Sequence, residues 1–461
     1  MNGGLPRGLP PEAAFTGVST DSRTVREGDL FIALRGERFD GHDFVTEALR
    51  GGAQAAVVEE EWLSAQRRRS VRGKPLIGVP DTLEALQNLA RYHRRRMGIP
   101  LIGITGSNGK TTTKEMTAAV LGVRFRVLKS EASYNNHIGV PLTLLRLRRA
   151  HEAAVLELGM NHPGEIAELC GIAAPSAGVI TNVGPVHLEF LEDEEGVARA
   201  KGELADAIGR DGFLVLNADD ERVMALASRT PARKITFGLS PDADVRPEGL
   251  ELRDGAFPSF GLRGEQIRLR VPGRYNVHNA LAAAAVGFAM DCEPPEVRRG
   301  LEGYRGTAWR GEVVRSGGLL LLNDAYNANP VSMARALDLL AEWQNGQPRR
   351  KVAVLGDMLE LGSAGPEAHA EVGRKAAAAD VDLLIAVGSH AAELARAAEA
   401  SGLDAERIET GPDVEEVWPV LERWLEPGDL VLFKASRRVG LERLVDRLKE
   451  HHEPASEGEE A

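Results

Sequence analysis

Residues 101–113 read LIGITGSNGKTTT, and no other stretch restricts the fold as much. LIGIT is a continuous apolar run, the pattern of a parallel strand covered on both faces. The glycines that follow let the backbone turn tightly, and a helix comes after the loop. A strand that passes through such a loop into a helix commits the chain to an open α/β sheet. The chemistry follows from the shape. Loop N–H groups point at phosphate oxygens, the helix N-terminus adds partial positive charge, Lys110 reaches the β/γ-phosphates, and the Thr111 hydroxyl completes a Mg²⁺ shell. The general phosphate-loop pattern would place glycine at 104, where isoleucine stands, so the loop here begins at Thr105. Gly106, Ser107, Asn108, Gly109, Lys110, Thr111 and Thr112 are therefore the candidate nucleotide-phosphate contacts.

The same grammar continues downstream. AAVLEL (153–158), AGVITNV (177–183) and FLVLNADD (213–220) are further apolar strands separated by helical stretches, which predicts a doubly wound, mostly parallel sheet. Residues 243–272 alternate and turn often, as an antiparallel excursion at a sheet edge would, and 276–290 is an Ala-rich helix. Upstream, DLFIAL (29–34) and AQAAVVE (54–59) read as strands with a helix-like stretch after His42 between them. Asp81 and Thr82 open an amphipathic helix to about residue 96, with Leu83, Leu86, Leu89 and Ala90 on one face. Four more strands, at 319–326, 351–358, 382–388 and 429–436, form a second Rossmann-like sheet without a dinucleotide fingerprint. Breaks at 98–100 and 303–311 give three α/β domains: 1–97, 98–306 and 307–451. The tail, 452–461, is too polar to pack.

Composition excludes several classes. With 56 Lys and Arg against 68 Asp and Glu, the net charge of −12 disfavours nonspecific nucleic-acid binding. No run approaches the roughly 18 apolar residues of a membrane-spanning helix. The N-terminal MNGGLPRGLPPEAAF has neither a basic n-region nor an apolar h-region, so export is not expected. Cys170 and Cys292, the only cysteines, cannot build a disulfide framework or a four-thiolate zinc site, which suits a reducing cytoplasm.

The loop is more particular than a generic nucleotide motif, and other strings follow it in order: ELGMNHPGEI (157–166), TNVGPVHLE (181–189), AKGEL (200–204), NADD (217–220), VHNALAA (277–283) and NDAYNANPVSM (323–333). STDSR (19–23) and GDLFIALRGERFDGHDF (28–44) precede it, and GDMLELG (356–362) comes after. This series resembles the Mur ligase superfamily, cytoplasmic amide ligases of peptidoglycan synthesis, together with their folylpolyglutamate synthase relatives. The resemblance covers nearly the whole chain. GDMLELG and Tyr-Asn-Ala-Asn-Pro imply the branch that joins D-alanyl-D-alanine to a UDP-N-acetylmuramoyl tripeptide through an acyl phosphate. It also implies ATP, two Mg²⁺ ions, a carbamylated Lys201, and a monomer.

Each matching residue has a physical reading beside the implied one. Glu157 ends an apolar strand at its carboxyl edge, where a carboxylate suits Mg²⁺; a capping or ion-paired glutamate is the alternative. His187 follows another strand end, and the resemblance implies a metal role for it and, with Lys110, a catalytic one. Lys201 alone is an ordinary helix lysine, and only the resemblance makes it catalytic and metal-binding. The Asn279 amide could read adenine edges. Arg310 suits phosphate and Asp324 ribose hydroxyls, with a turn or cap as the alternative for Asp324. Asn327 and Asn329 precede Pro330, a helix start by chemistry and part of the substrate site by resemblance. Asp21, Ser22 and Arg23, with Arg38, Asp40 and His42 in a Gly-flanked loop, are the candidate contacts to the UDP-linked substrate.

Two departures stand out. Lys434-Ala435-Ser436-Arg437 replaces the usual Lys-Gly-Ser-Arg, and Phe190-Leu191-Glu192 replaces Gly-Phe-Gly after Leu188-Glu189. Two competing functions remain open on sequence. A sister ligase adding a single amino acid would carry Asp-Asn-Pro-Arg, where this chain has Ala-Asn-Pro-Val at 328–331. An NTP-driven switch would have little need of the first domain, His187 or Lys201.

Overall fold

The computed structural model describes residues 14–36, 39–66, 75–131, 133–343 and 349–452. Arg38 and the acidic residues after His452 lie outside them. The chain divides into two compact units, one holding the residues up to Gly103 with Phe125–Met160 and Gly164–Ala177, the other holding Ile104–Arg124, Asn161–Pro163 and Gly178 onward.

In the first unit, β1 (Val18–Ser19), β2 (Leu30–Ile32), β3 (Ala55–Glu59) and β4 (Leu76–Val79) form a parallel sheet in that order. Leu30, Ile32, Ala55 and Val57 pack on one face while Phe31, Ala33, Ala56 and Val58 pack on the other. Two of these strands escape the sequence pattern. β1 is too short to show a period, and Pro75 and Pro80 flank β4 so that it reads as loop. The helix Thr82–Arg95 starts where expected: the Asp81 carboxylate accepts the Glu84 N–H at 2.8 Å, with His93, Arg94 and Arg95 in its last turn. Arg94 is buried, and its guanidinium donates to four carbonyls: Ala173 at 2.8 Å, Met97 at 2.6 Å, Ile99 at 3.1 Å and Ala174 at 3.2 Å. Those carbonyls belong to a helix end and to the turn after Arg95, so one planar cation satisfies groups that would otherwise be buried unpaired.

The central strands are β5 (Leu101–Thr105), β6 (Val127–Lys129), β7 (Ala153–Glu157), β8 (Ala177–Ile180), β9 (Phe213–Asn217) and β10 (Arg233–Phe237), in the order β10-β9-β8-β5-β7-β6. β5, β7, β8 and β9 match the apolar runs and are buried throughout. β6 and β10 were not expected: β6 has three residues, and β10 begins with exposed Arg233 and Lys234. The excursion after residue 243 is a three-stranded antiparallel sheet of β11 (Glu248–Arg253), β12 (Phe257–Leu262) and β13 (Glu265–Arg268).

The last sheet has six strands rather than four. β14 (Glu312–Ser316) pairs antiparallel with β15 (Leu319–Asn323), and β16 (Lys351–Gly356), β17 (Leu383–Val387), β18 (Ile408–Gly411) and β19 (Leu430–Lys434) complete the order β14-β15-β19-β16-β17-β18. Alternate residues of β15, β16, β17 and β19 feed two cores, one holding Leu321, Val354, Ile385 and Phe433, the other Leu322, Leu355, Ala386 and Leu432. Both cysteines are buried and outside any disulfide, Cys170 in the first unit and Cys292 in the second. Burial pushes the Cys292 thiol up to about 11. No helix among the described residues is long and apolar enough to cross a membrane.

Candidate functional site

The loop after β5 can be built only with glycine at two positions. Gly106 has φ +149 and Gly109 φ +81, and a Cβ would lie 1.8 Å from Thr181 Oγ1 at the first and 2.3 Å from Asn279 Oδ1 at the second. Gly109 then caps the helix Lys110–Leu121. The segment 181–184 braces the loop from beneath. Ser107 N–H donates to the Asn182 carbonyl at 2.9 Å, Asn108 N–H to Asn182 Oδ1 at 2.9 Å, and Thr181 Oγ1 to the Asn108 carbonyl at 2.6 Å. Ser107 Oγ donates to the Gly184 carbonyl at 3.0 Å and accepts the Gly184 N–H at 2.9 Å. Lys110 Nζ folds over its own loop, donating to the Gly106 carbonyl at 2.8 Å and the Ser107 carbonyl at 3.4 Å. Thr111 is buried on that helix and Thr112 is half-buried beside it.

Asn279 sits against this loop, although its amide is engaged within the protein: Oδ1 accepts from Thr113 Oγ1 at 3.2 Å and Nδ2 donates to Asn276 Oδ1 at 2.9 Å. It borders a cavity of about 160 Å³ that also includes Asn108, Asn217, Asp219, His278 and Arg335. Arg335, which the sequence reading missed, projects there from the helix Pro330–Glu342, and burial lowers its pKa.

A second cavity, of about 150 Å³, is bordered by Ser107, Lys110, His187, Asn327, Asn329, Glu360, Ser436 and Arg437. His187 adopts φ +53 and its Nδ1 lies 2.8 Å from Glu360 Oε2. Burial lowers the His187 pKa; Glu360 opposes that, while Lys110 and Lys201 reinforce it. Lys201 is buried on the helix Glu194–Ala207, and among the described residues no carboxylate pairs with it. Burial first, and the Lys110 charge second, hold its amine well below the usual lysine range. Asn329 has two roles: it caps the helix Pro330–Glu342, with Ser332 N–H donating to its Oδ1 at 2.9 Å, and its Nδ2 donates to Asn108 Oδ1 at 2.8 Å. Asp324 lies between β15 and the turn at Ala325 and Tyr326. Its carboxylate accepts from Lys434 Nζ at 2.5 Å, and the same amine reaches the Asn327 carbonyl at 3.1 Å. Arg310 lies over the Tyr326 ring at 3.9 Å, and Arg437 over Trp309 at 4.0 Å.

Both sequence departures are accommodated. Ala435 is wholly buried, and Ser436 still holds its turn by accepting the Leu359 N–H at 2.9 Å and donating its own N–H to the Asp357 carbonyl at 2.9 Å. After His187 the chain makes one helical turn, Leu188–Leu191, and leaves through Glu192 at φ +68.

The remaining expected residues lie in the first unit. Glu157 is buried at the end of β7, where Oε1 accepts from Asn135 Nδ2 at 2.8 Å. Arg23 is turned onto Asp21, Nε at 2.9 Å from Oδ1 and Nη2 at 2.6 Å from Oδ2, and these hydrogen bonds lower the Asp21 carboxyl to about 2. Ser22 Oγ donates to Glu47 at 3.2 Å. His42 is buried and fully used: Nε2 accepts the Glu59 N–H at 3.0 Å, so Nδ1 donates to Asp40 at 2.6 Å.

Three family models account for most of the chain: the Mur ligase family catalytic domain over residues 14–94, the Mur ligase middle domain over 104–287 and the Mur ligase glutamate ligase domain over 309–437. The chain belongs to the Mur ligase family. Among curated Mur ligases it is 37% identical to the UDP-N-acetylmuramoyl-tripeptide–D-alanyl-D-alanine ligase of Bacillus subtilis, covering 95% of this chain and 94% of the relative. The enzyme of the same name from Synechocystis is 39% identical over 95% and 93%. In structure the chain is similar to MurF from Acinetobacter baumannii, with TM-score 0.83, 33% identity and coverage of 96% and 95%. It is also similar to MurF ligase from Thermotoga maritima in complex with ADP, with TM-score 0.80, 29% identity and coverage of 94% and 97%. The three-domain, mostly parallel α/β fold read from the sequence is that of this family.

Proposed function

We infer that this chain is an ATP-dependent amide ligase that joins D-alanyl-D-alanine to UDP-N-acetylmuramoyl-tripeptide, forming the pentapeptide precursor of peptidoglycan with ADP and phosphate. The observation that carries it is the match to ligases of that name over about 95% of the chain, all three domains included. The reading places the UDP-linked substrate on 1–97, ATP on 98–306 and the dipeptide on 307–451. In it the tripeptide carboxylate attacks the γ-phosphorus of ATP, ADP departs, and an acyl phosphate forms. The dipeptide amine attacks the acyl carbon, loses a proton, and phosphate leaves.

The chain's task is to bring anions together. In this reading the loop N–H groups from Gly106 to Thr112 cradle the phosphates and Lys110 stabilises charge on the transferring phosphoryl group. Asn279, Arg310 and Asp324 border the nucleotide. Asp21, Ser22, Arg23, Arg38, Asp40 and His42 serve the UDP-linked substrate, and Asn327 and Asn329 the acceptor side. Arg23 would exchange Asp21 for a phosphate, while His42, with both nitrogens used, would hold the loop instead.

Mg²⁺ fits the donor set. Among the described residues no three His, Cys, Asp or Glu side chains converge on one point, but an ion carried by phosphates needs only one or two protein oxygens. Thr111 and Glu157 offer hard oxygens and His187 a nitrogen, while Lys201 suits a cation only as a carbamate, which its depressed amine favours. When bound, the ions would neutralise phosphate charge. The reading takes the enzyme as a cytoplasmic monomer with no nucleic-acid or membrane partner.

Phosphate release by purified protein should require both the UDP-tripeptide and the dipeptide, and D-Ala-D-Ala should be used at least about tenfold better than D-Ala or a diamino acid, by kcat/KM. Release without the peptide substrates would favour a switch, and preference for one amino acid would favour a sister ligase.

A further inference from the structure

The contact between His187 and Glu360 joins residues 173 positions apart, one after β8 and one after β16. Both hold left-handed backbone without being glycine, φ +53 and φ +63. A non-glycine residue keeps that conformation only where its surroundings impose it. The surroundings here are specific. Asp357 accepts the Ser389 and His390 N–H groups at 2.8 and 3.0 Å, Met358 N–H donates to His369 Nε2 at 2.9 Å, and Leu359 N–H donates to Ser436 Oγ at 2.9 Å. Residues 357–359 are thus fixed from three sides, and Glu360 is delivered to the imidazole. Arg437 borders the same cavity yet pairs with Glu442 at 3.2 Å, so the contact is not the nearest-cation pairing of a surface carboxylate.

We propose that Glu360 is a positioning residue for His187. Its carboxylate accepts Nδ1–H, which selects one tautomer and leaves Nε2 as the ring nitrogen available to the cavity shared with Lys110. The histidine after β8 is then correctly presented only when the loop after β16 is in place, which ties completion of the ATP side to seating of the acceptor domain. This rests on the ligase reading, and ligation by the unaltered enzyme tests that reading separately.

The experiment measures ligation, KM values and thermal stability for Glu360→Ala, Glu360→Gln, His187→Ala and the double variant His187→Ala/Glu360→Ala. Glu360→Ala should lower kcat about 10–100-fold with KM for ATP and UDP-tripeptide nearly unchanged. Glu360→Gln, whose amide oxygen can still accept Nδ1–H, should stay within about fivefold of the unaltered enzyme. The double variant should be no slower than His187→Ala, since a positioning residue has nothing left to position. Nitrogen-15 spectra of labelled histidine should lose the Nδ1-protonated signature in Glu360→Ala and keep it in Glu360→Gln. Should alanine unfold the loop, Glu360→Met keeps the bulk and takes its place. A Gln variant as slow as Ala, or losses that multiply in the double variant, would overturn the proposal.

Discussion

Lys110→Ala should lower kcat/KM by about 10³-fold or more and leave the thermal midpoint within a degree or two of the parent, because the amine serves ligand charge. In the structure Nζ rests on the Gly106 and Ser107 carbonyls, contacts it can exchange for phosphate oxygens without moving the backbone. The loop keeps its shape through hydrogen bonds of Ser107 and Asn108 to Thr181, Asn182 and Gly184. Lys110→Arg should recover little, since a planar guanidinium cannot enter the same loop as a compact point charge. The substitution has a second effect. Lys110 is one of the charges holding the Lys201 amine down, after burial, so removing it lets that amine hold its proton more readily. Steady-state kinetics and a melting curve check this: near-normal turnover, or an unfolded variant, would defeat the assignment.

Lys201→Ala should cost about 10²–10³-fold in kcat, and acetate or formate should restore part of it. The buried amine is neutral above its depressed pKa and can then add to CO₂, giving a carbamate and releasing a proton. Below that value the amine is protonated and cannot react, so activity falls as pH falls through it. The sign for stability agrees: between the folded and unfolded pKa values the unfolded chain binds the extra proton, and stability rises with pH. Alanine also leaves a cavity, so rescue by a small carboxylate, rather than the loss itself, is the discriminating result. Enzyme stripped of CO₂ should be slow and recover with bicarbonate, and intact mass should show one added CO₂. A bare amine in active, nucleotide-bound enzyme would refute the carbamate.

The apolar strands and the glycine loop were legible because their physics is local. β5, β7, β8 and β9 are buried on both faces and announce themselves as unbroken runs. Edge strands do not: β10 starts with two exposed cations, and β18 buries only Gly411 fully. β14 had a signal that went unread, since Gly317-Gly318 with φ +56 and +81 is a two-residue hairpin turn. Among site residues, Asn329 illustrates why alternatives had to stay open, for it both caps a helix and reaches Asn108. The family resemblance singled out Lys201, but only the fold supplies the burial that makes its chemistry accessible. Glu360 and Lys434 stood within quoted strings without a role, because their partners, His187 and Asp324, are 173 and 110 residues away.

The two thiols, one per unit and both buried, give this enzyme a built-in reporter of partial opening. A thiol reagent can reach Cys170 only when the first unit loosens and Cys292 only when the second does. Burial pushes the Cys292 thiol up to about 11, so it is protonated and unreactive while the second unit is closed and becomes reactive once opening restores its contact with water. Mass-resolved alkylation along a denaturant series would then order the loss of the two units in one unaltered polypeptide.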